Sequence, residues 1–381
     1  MRTESQDLFP KNYETARADF LREAAVIRNR APEADLQSFQ VPSAMDQDLF
    51  VDDLFVPASG SATSLLVLTS GVHGLEASLG SAVQIQFMRE FLSPLIAKGT
   101  AVWIVHCLNP YGFKHGRRTT EANINLNRNF GTAPETFRTP NEGYKKLSSH
   151  FEKNKRARGG PLHKFATLSF LLKRLFTKEF DAQSLSQAIS QGQFTNPRGL
   201  EYGGSEPTPQ ADYFRRRFET IAHPFAEIVL IDLHTGLGLE KRLHLLTGFD
   251  VAKCVHPETF QRLFRPYEES ELYEFNSGDE KGFYQTIGDI NTMVAELAPE
   301  KRVVALTFEF GTLGNGLLSK ADSLSRLWLE NQGAHYGFAT KAHERSIRQK
   351  FKDLFEPQDP AWQQNALRIT RDIFTRLVQR M

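Results

Sequence analysis

Between positions 12 and 31 the apolar residues Tyr13, Ala16, Phe20, Ala24 and Ile27 recur every three to four positions, the spacing of one helix face. This stretch is expected to be an amphipathic helix packed on the outside of a sheet. Strand-like runs follow at 48–57 and 64–70, and in the second Leu65, Leu66, Val67 and Leu68 are continuously apolar. A strand apolar on both sides is covered on both sides, as in the middle of a parallel sheet. After Gly71 the residues Leu79, Val83, Phe87 and Phe91 return to helical spacing, so a strand feeds a turn and then a helix. Runs at 101–107, 227–233 and 302–310 repeat the buried-strand signature. Strands alternating with helices predict an α/β fold, a doubly wound, mixed but mostly parallel sheet flanked by helices.

The stretch 134–210 breaks this rhythm. It holds a basic run at 153–158, a helical segment near 168–176 and a turn-rich patch from Gln191 through Gly204 to Pro209. It reads as a helical and loop insertion, a lid-like subregion within one catalytic domain spanning 1–381. The basic run reads first as a solvated helix end. The segment 362–380 has the pattern of a closing amphipathic helix, with Leu367, Ile373 and Leu377 toward the core.

Composition narrows the partners. The 381 residues carry 46 Lys and Arg against 45 Asp and Glu, a net charge of +1, which gives no basic stripe for nucleic acid or a membrane surface. A small molecule or short peptide is the expected partner; oligomeric state is not legible. The two cysteines, Cys107 and Cys254, form no CxxC pair and read as buried small hydrophobes. The first 23 residues are dense in charge without an apolar signal core, and no run approaches the roughly 20 apolar residues that span a bilayer. Cytoplasmic residence is the expectation.

In an open α/β sheet ligands gather beyond the carboxyl ends of strands. Three such places carry chemistry: Gly71-Val72-His73-Gly74-Leu75-Glu76, Asp232-Leu233-His234-Thr235-Gly236 and Thr307-Phe308-Glu309-Phe310-Gly311. Catalytic zinc takes three nitrogen or carboxylate ligands and keeps a fourth position for water. His73, Glu76 and His234 supply such a set for one Zn²⁺, provided the strands before 73 and 234 are neighbours. Singly, each has a plainer reading: a turn-capping imidazole, a first-turn acid favoured by the helix dipole, and a satisfied strand-end histidine. A fourth place, Asn109-Pro110-Tyr111-Gly112, then Arg117-Arg118 and the run from Asn123 to Phe130, is rich in amides and guanidinium groups. An Asn-Arg pair such as Asn127-Arg128 suits a carboxylate, and a further arginine can polarise a carbonyl and steady an oxyanion. No Gly-x-Ser-x-Gly elbow and no P-loop occurs.

In chain order, His73-x-x-Glu76, the Asn109 turn, Asn127-Arg128-Asn129-Phe130, His234 and Glu309 in Phe-Glu-Phe-Gly-Thr resemble the zinc carboxypeptidase superfamily. The His-Gly-x-Glu form resembles a bacterial branch of it. The resemblance spans roughly 12–336. It implies zinc at His73, Glu76 and His234, terminal-carboxylate binding by Asn127 and Arg128, oxyanion stabilisation by Arg118 with Arg117 as the neighbouring option, and general acid/base work by Glu309. Many members have an aspartate two residues before the Asn-Arg pair, where this chain has Asn125; an uncharged support behind a metal-bound histidine implies weaker metal binding. Tyr284 is the candidate for a substrate-capping tyrosine. The activity implied is metal-assisted hydrolysis of an amide next to a free carboxylate, as in a metallocarboxypeptidase. N-acyl amino-acid deacylation, as in the aspartoacylase-related members, is the alternative, and a non-catalytic binding protein on a hydrolase scaffold is the second.

Overall fold

The computed structural model describes residues 8–60, 62–160, 163–248, 250–264, 273–276, 286–314 and 316–381, with the side chains of 182, 183 and 273–276 outside that description. Eight strands among these residues form one mixed sheet in the order β1-β2-β4-β3-β5-β8-β6-β7. They are β1 (Asp35–Gln40), β2 (Phe50–Val56), β3 (Ser64–Ser70), β4 (Thr100–His106), β5 (Glu227–Gly236), β6 (Leu243–Leu246), β7 (Tyr273–Asn276) and β8 (Arg302–Gly311). The continuously apolar runs β4, β3, β5 and β8 are mutually parallel and central, as expected of strands covered on both sides. β1 pairs antiparallel with β2, β2 with β4 and β6 with β8. The runs at 35–40, 243–246 and 273–276 are too short to betray a period, and sequence reading did not separate them from loop.

The helices are α1 (Tyr13–Arg30), α2 (Ala77–Glu90), α3 (Leu92–Ala97), α4 (Pro110–His115), α5 (Glu142–Phe151), α6 (His163–Phe176), α7 (Ala182–Ser190) and α8 (Pro209–Ala222). They continue with α9 (Val251–Cys254), α10 (Pro257–Leu263), α11 (Ile290–Leu297), α12 (Leu317–Tyr336), α13 (Lys341–Phe355) and α14 (Pro360–Arg380). As expected, α1 buries Tyr13, Ala16, Phe20 and Ala24, and α14 buries Leu367, Ile373 and Leu377. Every residue of α2 from Ala77 to Met88 is buried, since the helix is wedged between the sheet and both terminal helices. Phe87 meets Phe374 of α14 at 4.9 Å between ring centroids, and Trp103 of β4 stacks on Phe214 of α8 at the same separation. Cys107 and Cys254 are buried thiols. No helix among the described residues is long and apolar enough to cross a membrane.

The stretch 134–210 carries α5, α6 and α7, whose buried residues, including Tyr144, Leu147, Leu171 and Leu185, form an apolar cluster separate from the main core. That cluster is completed by Ala321, Leu324 and Trp328 of α12. The basic run 153–158 is not a helix end: α5 stops at Phe151, Lys153 lies over the Trp328 ring and Ala157 bridges to Phe338.

One topological feature positions the site. The chain leaves β3 for β4 on one side and returns as β5 on the other, so the carboxyl ends of β3 and β5 flank a switch point where an open sheet parts into a crevice. β8 lies beside β5, with Glu309 in register with His234.

Candidate metal centre and its cavity

Beyond Ser70 the chain must turn sharply into α2, and Gly71 does so at φ +66°, where a Cβ would lie 2.7 Å from Cys107 Cβ. His73 then precedes a single 3-10 turn, Gly74–Glu76. A Cβ on Gly74 would fall 2.1 Å from the Gly112 carbonyl carbon, so this turn packs backbone to backbone against α4. The amides of Gly74 and Leu75 donate to the carbonyls of Arg118 and Arg117, each at 3.2 Å. The expected turn at Asn109 is instead the start of α4, with the Asn109 side chain accepting from the Gly112 amide. His234 lies inside β5, which runs three residues further than its apolar pattern indicates.

These elements bring His73, Glu76 and His234 together, their ligand atoms all within 4.8 Å of one another and their exposures 5%, 2% and 2%. The two imidazole centroids are 4.9 Å apart. His73 Nδ1 lies 2.9 Å from Glu76 Oε1, His234 Nδ1 lies 2.9 Å from Glu76 Oε2, and the two Nδ1 atoms are 3.2 Å apart. Both Nε2 atoms face away from this point. That of His73 meets Asn125 Oδ1 at 3.0 Å, and that of His234 meets Asp232 Oδ2 at 2.5 Å. An acceptor behind each Nε2 fixes the proton there and leaves each Nδ1 lone pair turned inward. Two nitrogen lone pairs and a carboxylate crowded at hydrogen-bond distance repel unless a cation or a proton lies between them. This donor set fits a divalent metal of the zinc type.

The electrostatics agree. Burial, and then the Arg118 charge, push His73 down to about 4, so its imidazole is neutral at neutral pH. Burial works against ionisation of Glu76, but the facing His73 and His234 outweigh it and hold the carboxyl well below its ordinary range. His234 goes the other way: burial opposes its charge, and the Asp232 and Glu76 carboxylates on either side raise it well above its usual value. A metal bound by these residues would take the place of that proton.

Glu309 is 8% exposed, and its Oε1 accepts from the Leu237 amide at 2.7 Å. Burial, and then the negative Glu76, push its carboxyl up to about 8. Its neighbour Phe308 packs on the other side of the sheet against Phe264. Arg118 lies beside the centre, Nε 4.0 Å from Glu76 Oε1 and Nη1 2.6 Å from Glu201 Oε1. Arg117 points elsewhere, to Glu330 and Asn123. Asn127 accepts from the Ile290 amide at 3.1 Å, at the start of α11. Arg128 donates to the carbonyls of Ser190 and Asn127, with Glu201 Oε2 at 3.6 Å. Tyr284 lies outside the described residues.

His73, Glu76, Arg118, Asn127, Arg128, Glu201, His234 and Glu309 line one cavity of about 310 Å³, and Arg117 does not. One stretch of its wall is polar, with Asn291 donating to Thr307 at 3.0 Å and Asp289 capping α11. Another is aliphatic, made by Leu171 and Leu175 of α6, Leu185 and Ile189 of α7, and Leu324 and Leu327 of α12. The 134–210 stretch therefore walls the site. Sequence reading missed two charged residues. Asp232 was legible, since positions two apart on a strand share a face. Glu201 follows no strand and carried no signal.

The sequence matches, over residues 9–369, the model of a family described as "Protein of unknown function (DUF2817)". It matches no curated protein. Among solved structures, the thrombin activatable fibrinolysis inhibitor is 12% identical with a TM-score of 0.49, over 88% of this chain and 76% of that one. The carboxypeptidase A from Helicoverpa armigera is 14% identical at 0.48, over 89% and 74%. A metallo-carboxypeptidase from Pseudomonas aeruginosa is 12% identical at 0.42, over 86% and 68%. These are likenesses of chain path and leave activity open.

Proposed function

The chain belongs to the DUF2817 family, whose description assigns no activity, and we propose that it is a zinc-dependent hydrolase that cleaves an amide bond next to a free carboxylate, in the manner of a metallocarboxypeptidase. The observation that carries this reading is the convergence of His73, Glu76 and His234 with both Nδ1 atoms turned inward, beside a buried carboxyl group on the neighbouring strand. His73, Glu76 and His234 would hold one Zn²⁺, which when bound lowers the pKa of a ligated water toward about 7 and polarises a carbonyl.

The chain's own groups do the rest. Glu309 takes the proton of the attacking water and returns it to the leaving amine, a role favoured by its buried position in register with His234 on the adjacent strand. Arg118 offers a guanidinium beside Glu76, where an oxyanion would develop. Asn127 and Arg128, which line the same cavity, would grip the substrate's free carboxylate. Walls from α6, α7 and α12 narrow the cavity to about 310 Å³, which restricts the substrate to a small one.

A second reading keeps the site and changes the substrate to an N-acyl amino acid. The aliphatic wall of Leu171, Leu175, Leu185, Ile189, Leu324 and Leu327 favours it, since such a wall suits an apolar acyl group. One experiment tests both: zinc stoichiometry on the purified protein, then a screen of short peptides against N-acyl amino acids, with and without chelator. One zinc per chain and chelator-sensitive release of C-terminal amino acids supports the first reading. Release of the acyl acid supports the second. Absence of bound zinc with no hydrolysis of either class refutes both.

A further inference from the structure

We propose that Glu201 is a positioning residue that supplies, through the Asn125 amide, the negative charge behind the His73 ligand, an inference that rests on the zinc reading above. The two imidazoles of the centre are backed differently. Behind His234 stands a carboxylate, Asp232, in direct contact. Behind His73 stands the neutral amide of Asn125. That amide is not the end of the chain of contacts, because its Nδ2 donates in a short bond to Glu201 Oε2. The connection runs from His73 Nε2–H to Asn125 Oδ1, and from Asn125 Nδ2–H to the Glu201 carboxylate.

A carboxylate drawing on the amide N–H polarises the whole amide and makes its oxygen a stronger acceptor. A stronger acceptor holds the proton on His73 Nε2 more firmly and makes Nδ1 the better ligand. The carboxylate expected at position 125 is thus found one amide further back, 76 residues along the chain.

The fold holds Glu201 in place at some cost. Its backbone has φ +53°, the left-handed region that side chains with a Cβ disfavour. Its carbonyl accepts from the Gln193 amide at 3.0 Å, and the carbonyl of the next residue, Tyr202, accepts from the Asn125 amide at 2.7 Å. The strained residue is therefore held by Gln193, and its neighbour ties the segment to the Asn125 loop. Burial alone would favour a neutral carboxyl, but the Arg118 and Arg128 charges more than offset it and hold Glu201 below its ordinary range. The same carboxylate thereby orients Arg118 at 2.6 Å.

The test is zinc affinity of the full chain, measured by competition with a chromophoric chelator at fixed pH, for the native protein, E201Q, N125D and N125D/E201Q. E201Q removes the charge and keeps the size, and is expected to weaken zinc binding by about 10- to 100-fold, as loss of a ligand's hydrogen-bond support does. N125D/E201Q restores a carboxylate directly behind His73 and should recover most of that loss. N125D alone sets two carboxylates against each other, so adding E201Q to it should strengthen zinc binding, the reverse of its effect on the native chain. A merely structural role for Glu201 gives the same sign in both backgrounds and overturns the inference, as does E201Q binding zinc like the native protein. If E201Q does not fold by itself, the comparison of N125D with N125D/E201Q carries the same sign test. A native chain that binds no zinc refutes the metal reading, and this inference with it; unchanged affinity in E201Q refutes only the role of Glu201.

Discussion

Replacing Glu309 by Gln separates the acid/base group from the metal site most cleanly. The side chain is buried, and its Oε1 takes the Leu237 amide at 2.7 Å, a bond the amide oxygen of glutamine can keep. What glutamine cannot do is accept a proton and pass it on. The loss is then that of general acid/base catalysis, about 10²- to 10⁴-fold. At 1.36 kcal/mol per tenfold this is about 2.7–5.4 kcal/mol of barrier. It should fall on kcat rather than KM, because the group is proposed to act on the reacting proton and not on the substrate carboxylate proposed to sit at Asn127 and Arg128. Zinc content should stay at that of the native protein, since Glu309 is not among the three converging ligands. Steady-state kinetics on the substrate found by the screen, with metal analysis of the same samples, check both. Turnover close to native would remove Glu309 from the chemistry, and loss of zinc would show it to be part of the metal site.

Three further outcomes follow from named contacts. Asp232→Asn keeps the size behind His234 Nε2 but removes the charge, so zinc affinity should drop by about 10- to 100-fold in the chelator competition. Gly74→Ala puts a Cβ 2.1 Å from the Gly112 backbone, so the turn between His73 and Glu76 must shift; a destabilisation of at least about 1–3 kcal/mol in urea unfolding, with weakened zinc binding, is expected. His106, buried against Phe20 with its Nε2 unpartnered, is pushed down to about 4 by that burial. The unfolded chain then binds more protons than the fold between about pH 4 and 6.5, so stability falls as pH drops through this window, by roughly 3 kcal/mol in full. His106→Leu should flatten that slope in urea titrations at pH 7 and pH 5; an unchanged slope would show that His106 is not responsible.

The central strands β3, β4, β5 and β8 were legible because burial on both sides writes itself as a continuous apolar run, and α1 and α14 because one buried face writes a period. The three metal-ligand candidates and Glu309 were legible for a related reason: a polar residue at the end of an apolar strand stands out against its neighbours. The short outer strands were not legible. Four to six residues give too little pattern to separate a strand from a loop, and pairing with a neighbour, not composition, makes β1, β6 and β7 strands.

From the chain alone came the residue types a metal site needs and their positions near strand ends, because local burial and local spacing are properties of neighbouring residues. The three-dimensional arrangement decided the remainder. It set β3, β5 and β8 side by side, turned both Nδ1 atoms inward, and chose Arg118 over Arg117 for the cavity. It also placed Glu201 behind Asn125. Each of these is a contact between segments tens to hundreds of residues apart, and no local pattern records which distant partner a side chain will meet.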